Sequence, residues 1–295
     1  VRVGIIVPQG WTGEYDGWDP ARAWARTVAV AQDAEALGFD SVWLFDHLQT
    51  EPEPTDEITF ESFVSLSALA MATARVRLGQ LVLCAGYRNP ALVAKMIATL
   101  DVVSGGRVEL GLGAGWKEDE FVAYGWGFPP IRERMQSLED ALEITSRMLG
   151  PDRTTYIGPT ARVEDAINVP RGLQHPRVPI VVGGNGPNRT WRLAARYADE
   201  LNLDWFTPRD VLKARPVIDS RCGEVGRSPR TLRLSVNAGR PLSEPEGSPR
   251  IELLRAYADA GVDRVMTLAR ASTSDESFLA RLANDCAAAG CELDA

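Results

Sequence analysis

Lysine is nearly missing from this chain: of its 32 basic side chains only Lys95, Lys117 and Lys213 are lysines, and histidine occurs only as His47 and His175. With a net charge of −8 and a pI near 5.0, the chain lacks the basic face needed to grip nucleic acid or an anionic membrane. Cys84, Cys222, Cys286 and Cys291 include no C-x-x-C pair. With so few histidines this argues against a metal site and for reduced thiols. No run of about 18 apolar residues occurs, and the opening VRVGIIVPQG reads as a short strand rather than a leader. A cytoplasmic protein that handles small molecules is the expectation.

What is present is alternation. Strand-like runs at 2–7, 41–45, 76–83, 107–113, 178–184, 200–206, 231–237 and 264–269 each precede a helical pattern. The helices are expected at 19–37, 60–74, from 90, 132–149, 189–197, 209–223, 249–260 and 275–289, with Asp19 and Pro20 as a cap and first-turn pair. Residues 153–169 break the rhythm and suggest a hairpin-like insertion before the fifth strand. Eight βα units in 295 residues match a closed (β/α)₈ TIM barrel better than an open doubly wound sheet. No linker divides the chain, so a single domain over 1–295 is expected.

The stretch GLGAGWKEDE (111–120) places Gly111, Gly113 and Gly115 at the end of the fourth strand. A dinucleotide fingerprint would need a glycine where Trp116 stands, on the first strand rather than the fourth. The reading that remains is a strand end whose backbone a flat ligand can approach. Glu118, Asp119 and Glu120 read as the first turn of a short helix, where carboxylates complement the dipole.

In a barrel the chemistry lies just after the strands. There the sequence is aromatic: Trp11, Tyr15, Trp18, Tyr87, Trp116, Tyr124, Trp126 and Phe128 follow strand ends, and Trp205 and Phe206 end the sixth strand. Such rings either pack loops onto the barrel or wall a flat apolar ligand. Trp11, Trp18, Trp116, Trp126 and Trp205 are the candidate substrate pocket. Asp46 and His47 end the second strand, where an imidazole can exchange a proton or tie down a loop. Cys84, Ala85 and Gly86 leave room for a planar group, and an apolar strand end makes Cys84 an inert thiol rather than a nucleophile. GGNGPNR (183–189) offers the N–H groups of Gly183, Gly184 and Gly186, a helix terminus and Arg189 as a phosphate cradle.

Four segments together, FDH (45–47), RNPALVAKMIATLDVVSGGRVELGLGAGW (88–116), EFVAYGWGFPPIRER (120–134) and GGNGPNRTWRLAARYADELN (183–202), resemble the luciferase-like monooxygenase superfamily. The similarity is strongest to its oxidoreductases dependent on the deazaflavin coenzyme F420. The resemblance implies a flavin-type ring at the barrel mouth, lined by Gly113, Ala114 and Gly115 and contacted by Asp46, Cys84 and Ala85. Gly184, Asn185, Gly186 and Arg189 would hold its phosphate. A non-prolyl cis peptide is implied at Cys84–Ala85 or the next bond, and a homodimer through the second and third helices. The implied activity is hydride transfer between F420 and a hydrophobic organic substrate, with His47 and Asp46 as candidate catalytic groups. FMN in a monooxygenase is the alternative, and a cofactor-binding protein without turnover is a third. The sugar-phosphate dehydrogenases of the superfamily carry a glutamate where Trp116 stands, and this chain has few lysines to grip a phosphate. A sugar phosphate is therefore not the expected substrate. The first loop and the 153–169 insertion are candidate covers.

Overall fold

The computed structural model describes residues 1–293. It alternates strands and helices in the order β1 (Arg2–Ile6), α1 (Pro20–Ala36), β2 (Ser41–Leu44), α2 (Ser62–Ala72), β3 (Arg77–Gln80), β4 (Leu83–Cys84), α3 (Pro90–Val103), β5 (Val108–Gly113), α4 (Glu118–Ala123) and α5 (Ile131–Met148). The hairpin β6 (Thr154–Ile157) and β7 (Arg162–Ala166) follows. The chain then continues through β8 (Ile180–Gly183), α6 (Thr190–Tyr197), β9 (Glu200–Asp204), α7 (Pro208–Glu224), β10 (Arg233–Asn237), α8 (Arg240–Ser243), α9 (Ser248–Asp259), β11 (Arg264–Leu268) and α10 (Phe278–Ala289). The main sheet runs β3-β2-β1-β11-β10-β9-β8-β5-β4, and a further β3–β5 pairing closes it into a (β/α)₈ TIM barrel. Every pairing within it is parallel.

Local chemistry sets the element ends. Asp19 accepts the Arg22 N–H at 2.9 Å with Pro20 in the first turn of α1, and Asn89 caps α3 in the same way. Apolar side chains such as Val3, Leu78, Leu110 and Leu234 point outward from the strands to meet the helices. Inside the barrel, Ile6, Trp43, Phe45, Leu81, Val181 and Met266 pack as a separate plug.

The N-terminal end of the barrel is filled by charge instead. Arg264, fully buried, places Nη1 2.8 Å from Glu109 and Nε 2.8 Å from Asp40, with Glu200 at 3.5 Å. Glu109 also pairs with Arg77. Burial alone would push the Glu109 carboxyl up, but Arg264 and Arg77 hold it far below the usual range.

The third barrel position departs from the sequence-based expectation. Instead of one strand over 76–83, β3 and β4 are separated by a non-prolyl cis bond at Leu81–Val82. That location corrects the expected Cys84–Ala85 or following bond. The neighbouring strands are built around Val82. A Cβ on Gly113 would lie 2.7 Å from Val82 Cγ2, one on Gly183 2.8 Å from it, and one on Gly111 1.9 Å from the Gln80 carbonyl oxygen. The alternating glycines of β5 therefore make room for this bulge.

The β6–β7 hairpin packs on the outside of the barrel. Asp140 of α5 accepts the Thr160 N–H and hydroxyl, both at 2.7 Å, and the Tyr156 hydroxyl at 2.9 Å. Tyr156 and Val163 lie against Ala94, Ile144 and Met148. This placement removes the insertion as a cover for the mouth. Among the described residues no helix is long and apolar enough to cross a membrane, and no group of His, Cys, Asp and Glu could hold a metal ion.

Candidate active site

The C-terminal ends of the strands open into a cavity of about 1850 Å³. Pockets for one small molecule span roughly 300–1,000 Å³, so this one has room for two ligands side by side. It brings together His47, Asp46, Cys84, Gly113–Gly115, Trp11, Trp116, Trp205 and the turn Gly183–Arg189.

Three of the expected residues lie elsewhere. Trp18 packs on the first loop beneath the Arg22 guanidinium, 4.5 Å from its ring. Trp126 stacks on Tyr87 at 4.3 Å and, with Ala85, lines a separate cleft of about 510 Å³ beside the hairpin. All three lie outside the main cavity: Tyr87 and Phe121 stand between it and the cleft of Trp126 and Ala85, and Trp18 is turned onto Tyr15 and Arg22 of the first loop.

His47 is held from several directions. Its ring stacks on Trp11 at 4.2 Å and 8°, and meets the edge of Trp116 at 5.6 Å. Nδ1 lies 2.9 Å from Glu120 Oε2. Glu120 is fully buried and also accepts the Leu48 N–H at 2.8 Å and the Tyr87 hydroxyl at 2.9 Å. Burial pushes its carboxyl up, but these bonds and His47 outweigh it and hold the pKa below the ordinary value. Tyr87, buried beside that carboxylate, is pushed far up and stays a phenol donor. This role goes beyond the expectation for Glu120, a first-turn carboxylate complementing the helix dipole. In the first turn of α4 it stands just before Phe121, which is buried too, and that inward pairing was the available signal.

Asp46, expected beside His47 in the chemistry, is bound into a different network. Its oxygens accept both Nη groups of Arg88 at 2.7 and 2.9 Å, the Ser62 hydroxyl at 2.9 Å and the Cys84 N–H at 2.9 Å. With four donors taken up, it anchors β4 to β2 and has no oxygen to offer a ligand. Burial pushes the Cys84 thiol to about 12, so it remains protonated, as the apolar strand end suggested.

At β8 the backbone N–H groups of Gly186 and Asn188 have no protein acceptor among the described residues. Gly184 takes φ +136°, and a Cβ on Gly186 would lie 2.8 Å from Thr190 Oγ1. Asn185 joins the turn to β9, accepting the Asp204 N–H at 2.9 Å and donating to its carbonyl at 2.8 Å. Arg189 is tied to the Arg132 carbonyl at 3.2 Å and lies 3.6 Å from Glu139.

Across the cavity, Trp205 has φ +57°, rare for so bulky a side chain. Its ring rests over Gly239, where a Cβ would approach to 2.8 Å. Asp204 next to it is open to the cavity yet walled by protein, which pushes its carboxyl up. The buried Glu14 is raised by burial in the same way. The lysine count understated the positive charge at this mouth, because Arg240, Arg270 and Arg281 line it. Arg240 approaches Glu244, and Arg281 pairs with Glu246 and Asp275. Arg270 has no carboxylate within salt-bridge distance among the described residues.

A closed parallel barrel with a ring-walled cavity and a glycine-rich turn at one strand end defines a (β/α)₈ small-molecule site. The chain belongs to the luciferase-like monooxygenase family, whose model matches residues 2–272. It is 40% identical over 198 residues to an F420-dependent glucose-6-phosphate dehydrogenase of Microbacterium testaceum (strain StLB037), a match covering 66% of this chain and 57% of that enzyme. An enzyme of the same name from Kineococcus radiotolerans is 37% identical over 267 residues, covering 88% of this chain and 75% of that one. In structure, the chain superposes on an F420-dependent secondary alcohol dehydrogenase solved with an F420–acetone adduct. The TM-score is 0.81 at 18% identity, and 98% of each chain is covered.

Proposed function

We propose that this protein is an oxidoreductase that moves a hydride between coenzyme F420 and a hydrophobic organic substrate bearing a C=C, C=N or C=O group, or its reduced form. The observation that carries the reading is the 37% identity to an F420-dependent enzyme over 88% of the chain. The cavity suits the cofactor. One wall is Val82, Gly113 and Ala114, flat enough for a tricyclic ring, and the free N–H groups of Gly186 and Asn188 with Arg189 suit its phosphate. When bound, the coenzyme supplies the hydride donor or acceptor. The chain's own part is to orient ring and substrate, exclude water and exchange a proton at His47.

Substrate class rests on the aromatic wall. Trp11, Trp116 and Trp205 face the space beside His47, and Trp116 occupies the position where a glutamate stands in the sugar-phosphate dehydrogenases that the sequence resembles. Equilibrium titration of the purified protein, followed by tryptophan quenching, tests the cofactor. F420 should bind tightly and FMN far more weakly. A preference for FMN would move the protein to the oxygen-using branch, and binding of neither would end the reading. Turnover of glucose 6-phosphate in preference to hydrophobic alcohols or ketones would overturn the substrate class and assign Arg270 to a phosphate.

The second part of the reading is a homodimer through α2 and α3. Val64 and Met71 are each 74% exposed, and Leu92, Val102 and Val103 extend the apolar face onto α3. Sedimentation should give twice the monomer mass of 32.2 kDa. A single monomeric species across the micromolar range would exclude the dimer.

A further inference from the structure

The geometry points to Glu120 as the positioning residue that keeps the proton of neutral His47 on Nδ1, leaving Nε2 as the atom that exchanges a proton with substrate. Glu120 Oε1 accepts the Leu48 N–H at 2.8 Å and the Gln49 N–H at 3.3 Å, while Oε2 accepts the Tyr87 hydroxyl at 2.9 Å. Three donated hydrogen bonds on one carboxylate favour its ionised form, and they hold its pKa below the ordinary value despite burial. An ionised carboxylate 2.9 Å from Nδ1 requires that nitrogen to be the donor.

The ring cannot turn easily to exchange its nitrogens. Trp11 lies parallel to it at 4.2 Å and Trp116 meets its edge. Among the described residues no other carboxylate bonds the ring, and the oxygens of the adjacent Asp46 are taken by Arg88, Ser62 and the Cys84 N–H. Nε2 has no partner among the described residues, and His47 lines the cavity.

This deepens the oxidoreductase reading and rests on it for its chemical consequence. In the oxidising direction the substrate carbon loses its C–H hydride to F420, while the O–H proton passes to Nε2. The carbonyl product and an imidazolium remain, and the imidazolium charge faces Glu120. In the reducing direction Nε2 returns that proton to the carbonyl oxygen as the carbon accepts the hydride. With the other tautomer, Nε2 would carry a proton before oxidation began and could not accept one.

The test separates the two layers. Long-range ¹⁵N–¹H NMR of labelled protein without cofactor reads the tautomer directly, and a His175→Gln variant assigns the two imidazoles. Wild type should show His47 protonated on Nδ1. Glu120→Gln, which can turn its amide N–H₂ toward Nδ1, should shift His47 toward the Nε2–H form. A wrong tautomer in a hydrolase triad costs about 10⁴-fold in kcat, so a loss of at least ~10²-fold in kcat with little change in KM is expected here. Tyr87→Phe removes one donor and should keep the wild-type tautomer.

An Nε2–H tautomer in wild type overturns the proposal even if Glu120→Gln fails to fold. So does an unchanged tautomer in a folded Glu120→Gln protein, and so does a changed tautomer with unchanged kcat. Absence of F420 binding by wild type defeats the functional reading instead, and leaves the positioning claim to the tautomer.

Discussion

His47→Ala should bind F420 as tightly as wild type and lose about 10²–10⁴-fold in the rate of hydride transfer, the range for a positioned acid or base. The expectation separates binding from chemistry because the two depend on different elements. The imidazole rests on Trp11 and Glu120 at the end of β2, while the turn proposed to hold the cofactor phosphate is built from Gly183–Arg189 and braced by Asn185 against β9. Glu120 keeps its bonds from Leu48, Gln49 and Tyr87 when the ring is removed, so its segment should stay in place. Tryptophan quenching measures the binding, and single-turnover absorbance of the coenzyme measures the transfer. Full activity in the variant would remove His47 from the chemistry. Loss of binding together with activity would assign it to scaffolding.

The second large effect lies at the opposite end of the barrel. Arg264→Met should destabilise the fold by roughly 3–5 kcal/mol, because removing the central cation of a buried cluster leaves three buried carboxylates facing one another, each with only one more peripheral arginine among the described residues: Arg2 for Asp40, Arg233 for Glu200 and Arg77 for Glu109. Glu109, Glu200 and Asp40 would lose their common cation, and Arg77 would be left as the remaining partner of Glu109. The pH dependence has a definite sign. In wild type the folded-state pKa of Glu109 lies far below its reference of 4.5. Its contribution is therefore present above that reference and declines as pH falls below it. In the variant, burial without Arg264 shifts the carboxyl upward, so its penalty is present at neutral pH and relieved on protonation. Both effects narrow the gap between the proteins in acid. Urea unfolding at neutral pH and near pH 4 reads this. A loss under 1 kcal/mol, or a gap that widens in acid, would contradict it.

The eight strands, the eight main helices and the hairpin were legible because each follows from a local period or cap. β5 is an example, with Val108, Leu110 and Leu112 directed outward toward the helices while its glycines face the bulge at Val82. The break between β3 and β4 was not legible. Nothing in RLGQLVLC marks it, and its reason lies in glycines thirty and a hundred residues away, which the sequence offered as ligand contacts. Glu120 was largely hidden: an acidic first turn looks the same whether it faces water or His47, and only the apolar Phe121 beside it hints at the inward face. Trp18, Trp126 and Ala85 lie just beyond strand ends, but position after a strand does not reveal on which side of Tyr87 the chain at Ala85 and Trp126 falls, nor that Trp18 turns onto Tyr15 and Arg22.

The separation of charge from chemistry along the barrel axis bears on how such a protein diversifies. A buried ion cluster around Arg264 fills one end, and the groups that would choose a substrate stand on loops at the other, with Trp116 and Trp205 about half exposed. A change at either tryptophan removes no side-chain hydrogen bond of the scaffold among the described residues, although Trp116 also braces the His47 ring. Selection can therefore rewrite the mouth in single steps while the base holds the fold. For engineering, these two positions are the first to randomise when a different substrate is wanted.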